Sequence, residues 1–495
     1  MAGSFLFYDL ETFGADPRRS RIAQFAAVRT TPALDVMEEP LSFFVQPADD
    51  LLPSPIATLI TGITPQRALH EGVNEAEAFA RIADEMGRPE TCTLGYNSLR
   101  FDDEFVRHGL FRNFHEPYER EWRGGNSRWD LLDVMRLMHA LRPDGIVWPR
   151  REDGATSFRL EHLALANRVR DGDADARIDA AIARTRDGDA HEALSGVVAT
   201  IGLARLMRQA QPRLWDYALQ LRDKRFAARL LDTTAMLPVL HVSQRYPASR
   251  LCAAPVLPLA RHPRIDNRVV VFDLDSDPAP LLTMAPADIA DRLYTPAADL
   301  PEGEQRVPLK EVHLNRSPAL VAWSHLRPAD MDRLGIDPAR CERHAATLRQ
   351  AGPALAEKVR QVFAGERIST PGDVDASLYD GFLGDADKRR FTDVRTTPPA
   401  LLGQRDFGFR DARLPELLFR YRARNWPGTL APEERERWDA YRRARLATGS
   451  NLSEYSFESF DAELSALRAS HGGDAGRLAL LDKLQQWRQE LEAGL

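Results

Sequence analysis

Residues 5–14 read FLFYDLETFG, and this stretch decides the class of fold. Its apolar run predicts a buried β-strand over residues 5–10. Side chains alternate between the two faces of a strand, so Asp9 and Glu11 point to the same side. Two neighbouring carboxylates repel each other unless arginines, solvent or a cation offset their charge. The arrangement therefore needs a structural or a chemical reason.

The residues around this strand predict an α/β domain over residues 1–210. Further strands are predicted at residues 22–30, 41–47 and 91–97. Helices are predicted at residues 75–86, 131–142 and 197–210. The pentad RDGDA occurs at 170–174 and again at 186–190, which predicts a surface insertion with a short helix.

The pattern changes in the second half of the chain. Short β-rich runs such as NRVVVFDLD (267–275), separated by Pro, Asp and Asn, predict a small β domain over residues 211–364. A helical, arginine-rich pattern predicts a helical domain over residues 365–495. A chain of 495 residues is also too long for one ordinary core.

Composition excludes several classes of protein. No apolar run approaches the roughly 18 residues of a membrane span, and the first residues do not match a secretion signal. Cys92, Cys252 and Cys341 are far apart and match neither a zinc site nor a disulfide framework. We expect a cytoplasmic protein that does not associate with membranes. A net charge of −7 argues against an overall basic coat, although a local basic groove stays open.

A divalent-metal site is the chemical interpretation of Asp9 and Glu11, and a solvated strand face is the structural one. Mg²⁺ prefers carboxylate oxygens, and two metals about 3.5–4 Å apart assist phosphodiester cleavage. Such a site needs more than two acids. GYNSLRFDDEF (95–105) supplies Asp102 and Asp103 at a predicted helix start, where acids are also favoured by the helix dipole.

These motifs resemble the DEDDh family of 3′→5′ exonucleases. The shared pattern is Asp9-x-Glu11, the sequence NSLRFD at 97–102 and a histidine on a late helix. Longer motifs resemble the bacterial exodeoxyribonuclease I family in particular, and they extend from residue 5 into the helical domain. They include LITGITP (59–65), NSRWDLLDVMR (126–136), SFRLEHL (157–163) and YRARNWPGTL (421–430).

The resemblance implies a ribonuclease-H-like exonuclease domain, an SH3-like β domain and a helical C-terminal domain that together enclose single-stranded DNA. It implies processive removal of mononucleotides from the 3′ end in DNA repair and recombination. Mg²⁺ is the expected cofactor, with two ions per site and Mn²⁺ as a substitute. The expected partners are single-stranded DNA with a free 3′ end and the acidic C-terminal tail of the single-stranded DNA-binding protein. The protein is expected to be a monomer.

Motif matching also assigns residues. Asp9, Glu11 and Asp102 are the expected metal and catalytic carboxylates, with Glu11 also near the 3′-terminal nucleotide. His191 is the expected general base, because the pKa of an imidazole lies near neutrality. The expected substrate-binding residues are Glu11, Asn97, Phe101, Arg128, Trp129 and Arg159. The residues expected to bind the acidic tail are Arg142, Tyr217, Arg327 and Arg349.

The chain departs from the family pattern at one position. The family has an aspartate five residues after the histidine, and this chain has Gly196 there. Glycine has no ligating side chain, and inside a helix it costs about 1 kcal/mol relative to alanine. Two functional alternatives stay open: Glu192 (or, less favourably, Asp187 or Asp189) substitutes as the ligand, or the chain is a weakened or inactive member that binds single-stranded DNA. A sequence change without physiological meaning is the third explanation.

The helical domain contains a candidate DNA-binding segment. Residues 405–445 contain eleven arginines and seven acids, interleaved with aromatic residues. Positive charge combined with aromatic stacking is typical of single-strand channels. An amphipathic helix pair with a buried aromatic face gives the same pattern, and the resemblance favours DNA contact for the block as a whole.

Overall fold

The computed structural model describes residues 3–169, 193–296, 299–365 and 372–495. The chain divides into two compact units. Unit 1 comprises Met1–Ser127, Asp171–Ile201 and Ser369–Leu495, and unit 2 comprises Arg128–Arg170 and Gly202–Ile368. The first and last quarters of the chain therefore fold together in unit 1.

A mixed β-sheet forms the centre of unit 1. The strands of this sheet that lie wholly in unit 1 are β1 (Ser4–Thr12), β2 (Ile22–Thr30), β3 (Leu41–Phe44) and β4 (Thr91–Gly95), in the order β3-β2-β1-β4. β1 pairs antiparallel with β2 and parallel with β4. β2 is buried along its whole length, as its apolar sequence IAQFAAVRT predicts for a central strand.

Four helices follow β3 in unit 1, and polar residues cap three of them. The helices are α1 (Pro55–Thr61), α2 (Pro65–Glu71), α3 (Glu75–Gly87) and α4 (Asp102–Arg112). Ser54, Thr64 and Asn74 each accept the N–H of the third helical residue. Gly62 ends α1 at φ 70°, and Pro65 begins α2, so the LITGITP motif is a helix stop followed by a helix start.

The middle of the chain contains a second five-stranded sheet. Before this sheet comes strand β5 (Ser127–Asp130), which is not one of its strands. It is followed by α5 (Leu131–Leu141), α6 (Leu160–Ala166), α7 (Ala193–Ala210), α8 (Pro212–Gln220) and α9 (Lys224–Leu230). Strands β6 (Val239–Val242), β7 (Ala253–Arg261), β8 (Arg268–Asp273), β9 (Leu309–His313) and β10 (Ala319–Ala322) form an antiparallel sheet in the order β10-β6-β7-β8-β9.

Helices complete both units. Unit 2 adds α10 (Ala279–Thr283), α11 (Pro286–Tyr294), α12 (Pro328–Leu334), α13 (Pro338–Gln350) and α14 (Gly352–Val362). Unit 1 adds α15 (Asp385–Thr396), α16 (Arg413–Asn425), α17 (Pro432–Leu446), α18 (Phe457–Ser470) and α19 (Ala475–Ala493). None of the helices in the described ranges is both long and apolar enough to span a membrane.

The predicted elements agree with these bounds apart from local differences. β3 ends at Phe44 rather than at residue 47, and β10 was not predicted because ALVA is too short to stand out in the sequence. The repeated RDGDA segment lies outside the described residues. The predicted domain boundaries at residues 210 and 364 stay predictions.

A buried cluster of charged side chains joins the early and late parts of unit 1. Asp375 accepts hydrogen bonds from both terminal nitrogens of Arg424, at 2.8 and 2.6 Å, and one from Arg420 at 3.1 Å. Arg424 also donates to Asp50 at 2.8 Å, and Arg445 lies 3.3 Å from the same carboxylate. Asp50, Asp375 and Arg445 are each only 1% exposed.

The arginines keep both acids of this cluster ionised. Burial alone would raise the pKa of the Asp375 carboxyl, but Arg424 and Arg420 hold it well below its usual range. The same balance of burial against Arg424 and Arg445 lowers the pKa of Asp50. Each buried charge is therefore stabilised mainly by its partners, and the loss of one partner leaves the others uncompensated.

This cluster limits which arginines of residues 405–445 are available to bind DNA, and DNA contact by the segment as a whole stays a prediction. Five of its eleven arginines are engaged in buried ion pairs or backbone contacts and are not on an open face: Arg420, Arg422, Arg424, Arg442 and Arg445. Spacing along the sequence could not distinguish them from groove residues, because their acidic partners lie as far away as Asp49 and Asp50.

We expect Asp375→Asn to destabilise the protein by about 3–5 kcal/mol, because it leaves buried arginines without a counter-charge. Asp482→Asn is the matched control: Asp482 pairs with Arg468 on the surface and is 67% exposed, so its loss should cost under about 1 kcal/mol. Urea unfolding followed by tryptophan fluorescence measures both values. Equal losses in the two variants would contradict the assigned role of the cluster.

Candidate active site

Asp9 and Glu11 lie on one face of β1, as the sequence predicts. Both side chains are partly exposed. Leu10, which lies between them, and Tyr8, which precedes Asp9, are buried. The strand therefore presents two carboxylates on one accessible face and anchors its other face in the core. Oxygen donors arranged in this way are the ligands that Mg²⁺ prefers.

The start of α7 packs over this part of the sheet. The side-chain oxygen of Gln24, which lies opposite Glu11 in the β1–β2 pairing, accepts the N–H of Ala193 at 3.1 Å. Gln24 is 1% exposed, and Ala193 is fully buried. This contact fixes the first turn of α7 against the two strands, three residues before Gly196.

Gly196 lies directly against the carboxylate of Asp9. A Cβ atom added at Gly196 would overlap Asp9 Oδ2 and lie 3.2 Å from Asp9 Cγ. The position at which the family pattern has its fourth acid therefore does face Asp9, and the Asp9 carboxylate fills the space that a side chain would take. Any substitution of Gly196 must displace the end of the Asp9 side chain.

The GYN turn brings Asp102 to the carboxyl end of β4. A Cβ atom at Gly95 would lie 2.9 Å from the carbonyl oxygen of Tyr8, so this glycine permits the close approach of the two strands. Asn97 adopts φ 67°, a left-handed conformation that Asn tolerates better than most residues. The chain then turns into α4, whose first residue is the buried Asp102.

A buried hydrogen bond connects the neighbours of Asp9 and Asp102. The Tyr8 hydroxyl donates to Asp103 Oδ1 at 2.6 Å, and Arg120 donates to the same oxygen at 2.7 Å. Burial, followed by the charge of Asp103, raises the pKa of the Tyr8 phenol well above its usual value, so the hydroxyl stays a donor. The bond ties β1 to the start of α4 and so fixes where Asp9 and Asp102 stand.

The remaining residues predicted to bind substrate are divided between the units. Phe101 stays in unit 1 and packs on Phe105, with ring centroids 5.1 Å apart. Arg128 donates to the carbonyl of Asn315 at 3.0 Å within unit 2. Trp129 is fully buried against Trp215, which makes it a core residue of unit 2. Arg159 is exposed and precedes α6.

Two of the four residues predicted to bind an acidic tail converge in unit 2. Arg142 and Arg327 both donate to Asp330 Oδ1, at 2.6 and 3.0 Å. Tyr217 donates to the carbonyl of Leu320 at 3.0 Å, and Arg349 donates to the carbonyl of Met236 at 3.0 Å. Arg327 keeps 58% of its side chain exposed, so this arginine is accessible despite its pairing.

His191 and Glu192 lie outside the described residues, as do Asp187 and Asp189. Within the part of the chain that the structure describes, no three His, Cys, Asp or Glu side chains converge closely enough to hold a metal ion. Asp9, Glu11 and Asp102 therefore do not form a closed three-carboxylate cage by themselves. The two partly exposed carboxylates of β1 nevertheless fit a divalent cation by their donor chemistry.

Sequence reasoning missed the residues that support the site. Gln24 could have been suspected, because a glutamine within the apolar strand IAQFAAV needs a buried partner. Asp103 was predicted as an acid at a helix start, but its partner Tyr8 was not. No sequence signal connects Tyr8 to Asp103, which is 95 residues away.

Sequence comparison accounts for nearly the whole chain. A family profile described as Exonuclease matches residues 6–183. Profiles described as Exonuclease I SH3-like domain and Exonuclease I C-terminal domain match residues 222–365 and 372–491. The chain is 44% identical over 489 residues to exodeoxyribonuclease I of Escherichia coli strain K12, covering 99% of this chain and 98% of that protein. The chain belongs to the exodeoxyribonuclease I family.

Solved structures of the family have the same fold. A moderately thermophilic exonuclease I from Methylocaldum szegediense is 47% identical, with a TM-score of 0.91 and coverage of 99% of both chains. The zinc-bound form of the E. coli exonuclease I complex with single-stranded DNA is 43% identical, with a TM-score of 0.89 and coverage of 99% of this chain and 100% of that one. Family membership confirms the predicted fold class and makes the chain a nuclease.

Tyr8→Phe tests whether the Tyr8–Asp103 bond positions the carboxylates. It removes the donor to a buried acid, which we expect to cost about 1–3 kcal/mol of stability and to lower the rate of DNA hydrolysis at a temperature where the variant stays folded. Tyr246→Phe is the matched control, because Tyr246 bonds His241 in unit 2 at 3.1 Å. Thermal unfolding and nucleotide release are measured together. A full hydrolysis rate in Tyr8→Phe would refute the positioning role.

Gly196→Asp and Gly196→Ala separate the effect of a ligand from that of bulk. Both substitutions displace the Asp9 carboxylate, but aspartate alone returns an acid to the site. We expect Gly196→Asp to raise the hydrolysis rate roughly tenfold or more and to lower the Mg²⁺ concentration that gives half the maximal rate. Gly196→Ala should lower the rate.

Equal rates in the two Gly196 variants would contradict the assignment of this position to an absent ligand. Glu192→Ala in the parent sequence tests the substitute directly. If Glu192 replaces the absent ligand, its loss removes most of the remaining activity. An unchanged rate eliminates Glu192 from that role.

Proposed function

We propose that the protein is a 3′→5′ exonuclease that degrades single-stranded DNA to mononucleotides. The observation that carries the proposal is the accessible face of β1, where Asp9 meets Gly196 of α7 and Glu11 lies beside it. The complex of the E. coli relative with single-stranded DNA supports the choice of substrate. The proposed setting is DNA repair and recombination in the cytoplasm, with the protein acting as a monomer.

Asp9, Glu11 and Asp102 are the residues that would hold Mg²⁺, two ions per site, with Mn²⁺ as a substitute. Such ions would supply positive charge that stabilises the attacking and leaving oxygens of the phosphodiester. The metal-bound structure of the E. coli relative supports metal dependence. In this chain the hydrogen bond between Tyr8 and Asp103 keeps the acid on β1 and the acid on α4 in a fixed relation before substrate arrives.

The other assigned residues bind and orient the DNA end. Glu11 would lie near the 3′-terminal nucleotide, and His191 would take the proton from the attacking water, because a neutral imidazole can accept it near pH 7. Asn97 and Phe101 shape the turn that precedes Asp102. Arg128 and Arg159 of unit 2 are proposed to bind the DNA strand, whereas Trp129, which is fully buried against Trp215, belongs to the core of that unit.

A second candidate function is supported by Gly196. Without an acid at this position, the chain has fewer oxygen donors for a metal than the family pattern, and it would bind DNA with slow or no hydrolysis.

For either function we propose that Arg142 and Arg327, which flank Asp330, bind the acidic tail of the single-stranded DNA-binding protein together with Tyr217 and Arg349. A carboxylate of the tail would compete with Asp330 for the two arginines.

A 5′-labelled single-stranded oligonucleotide tests the function. With Mg²⁺ we expect release of mononucleotides and shortening of the labelled strand from its 3′ end, no cleavage with a chelator, and none on a 3′-blocked substrate. Asp102→Asn should remove the activity and leave DNA binding intact. Release of the 5′-labelled nucleotide as the first product would contradict the proposal, because it would show hydrolysis from the 5′ end. Binding without cleavage would favour the second function.

A further inference from the structure

The loop from Phe13 to Ser20 follows the two carboxylates of β1. The β1–β2 register shifts between Glu11 and Thr12, and the Thr12 hydroxyl donates to the carbonyl of Gly14 at 2.7 Å. The Phe13 N–H donates to the carbonyl of Arg21 at 2.9 Å. The position of this loop therefore determines how the end of β1, which carries Glu11, leaves the sheet.

A carboxylate from the far end of the chain is inserted into the loop. Glu454, which lies between α17 and α18, accepts the backbone N–H of Asp16. A Cβ atom at Gly14 would overlap Glu454 Oε2 and lie 2.7 Å from the Glu454 carboxyl carbon. Glycine at position 14 is therefore what allows the carboxylate to reach the backbone of the loop, and this contact explains the last residue of FLFYDLETFG.

Two further contacts hold the outer part of the same loop. Arg445 of α17 donates to the carbonyl of Arg19 at 2.8 Å, and Arg112 of α4 donates to the carbonyl of Pro17 at 3.1 Å. Arg445 belongs to the buried charge cluster with Asp50 and Asp375. The inner part of the loop, next to the site, depends on Glu454 instead.

We propose that Glu454 is a positioning residue of the active site: from the C-terminal region it fixes the backbone at Gly14–Asp16 and thereby the orientation of Glu11. This role rests on the proposed function, because it assumes that Glu11 acts in catalysis. Glu454 acts through the loop, which it contacts at the Asp16 N–H and at Gly14. The helical region thus contributes to the chemistry as well as to the stability of unit 1.

Substitutions at Glu454 separate positioning from bulk stability. Glu454→Gln keeps an oxygen that accepts the Asp16 N–H, whereas Glu454→Ala removes it. We expect Glu454→Ala to lower kcat on 3′-ended single-stranded DNA about ten- to a hundredfold with KM changed less than about threefold, and Glu454→Gln to retain most of kcat. An unchanged kcat in Glu454→Ala, or an equal loss in Glu454→Gln, would overturn the proposal.

Gly14→Ala provides the complementary test, because its methyl group displaces the Glu454 carboxylate. The loss of kcat in Gly14→Ala/Glu454→Ala should be no greater than in the worse single variant, since both single changes remove the same contact. The new methyl group would also lie 2.7 Å from Ser20 Oγ. Gly14→Ala/Ser20→Ala is therefore the matched control, and it should stay as impaired as Gly14→Ala. Additive losses in the first double variant would contradict the proposal.

Amide hydrogen exchange in residues 12–21 distinguishes failure of this proposal from failure of the proposed function. Exchange there should be faster in Glu454→Ala than in the parent and unchanged in Glu454→Gln, whether or not DNA is hydrolysed. A parent protein that releases no nucleotide would overturn the proposed function, and the exchange result would still decide whether Glu454 fixes the loop. Unchanged exchange in Glu454→Ala would refute its action on the loop.

Discussion

The buried charge cluster around Asp375 is the constraint on which unit 1 depends. It places two acids and several arginines out of water, and each charge is tolerated only because the others are present. Asp50 comes from the early part of the chain, whereas Asp375, Arg424 and Arg445 come from the last quarter. Formation of the cluster therefore requires both ends of the chain to fold together.

This shared folding has a consequence for the site. The loop after β1 receives Glu454 and Arg445 from the last quarter of the chain, and the face of β1 receives the start of α7 through Gln24. The loop after β1 and the strand paired with β1 are thus contacted by residues that are distant in sequence. At the position where the family pattern has its fourth acid, Gly196 lies against the carboxylate of Asp9.

Most strands and helices and the principal acids could be predicted because their signals are local, whereas the types of domain were implied by the family resemblance. Alternation on FLFYDLETFG predicted the shared face of Asp9 and Glu11, and NSLRFD predicted Asp102 at a helix start; the structure has both. Gly196 was also recognisable, because the family motif has a fixed spacing. The contact of Gly196 with the Asp9 carboxylate was not, since it depends on how α7 crosses the sheet.

Long-range pairing explains what the sequence analysis missed or misinterpreted. Arg420 and Arg424 belong to a pattern that also describes a DNA groove, and only the position of Asp375 distinguishes the two. No local property of the sequence distinguishes Gly14 from other glycines, because its role depends on contact with Glu454, which is 440 residues further along the chain. Trp129, predicted from its motif to bind DNA, packs on Trp215, and no local property of the sequence indicates that contact.

A crystal structure of the parent protein with Mn²⁺ and a 3′-ended single-stranded oligonucleotide tests the central claim most directly. Anomalous scattering would locate the metal without reference to activity. We predict a peak within ligand distance of the carboxylates of Asp9 and Glu11, with the 3′-terminal phosphodiester beside it. A complex in which the DNA end binds but no metal lies at these carboxylates would contradict the account.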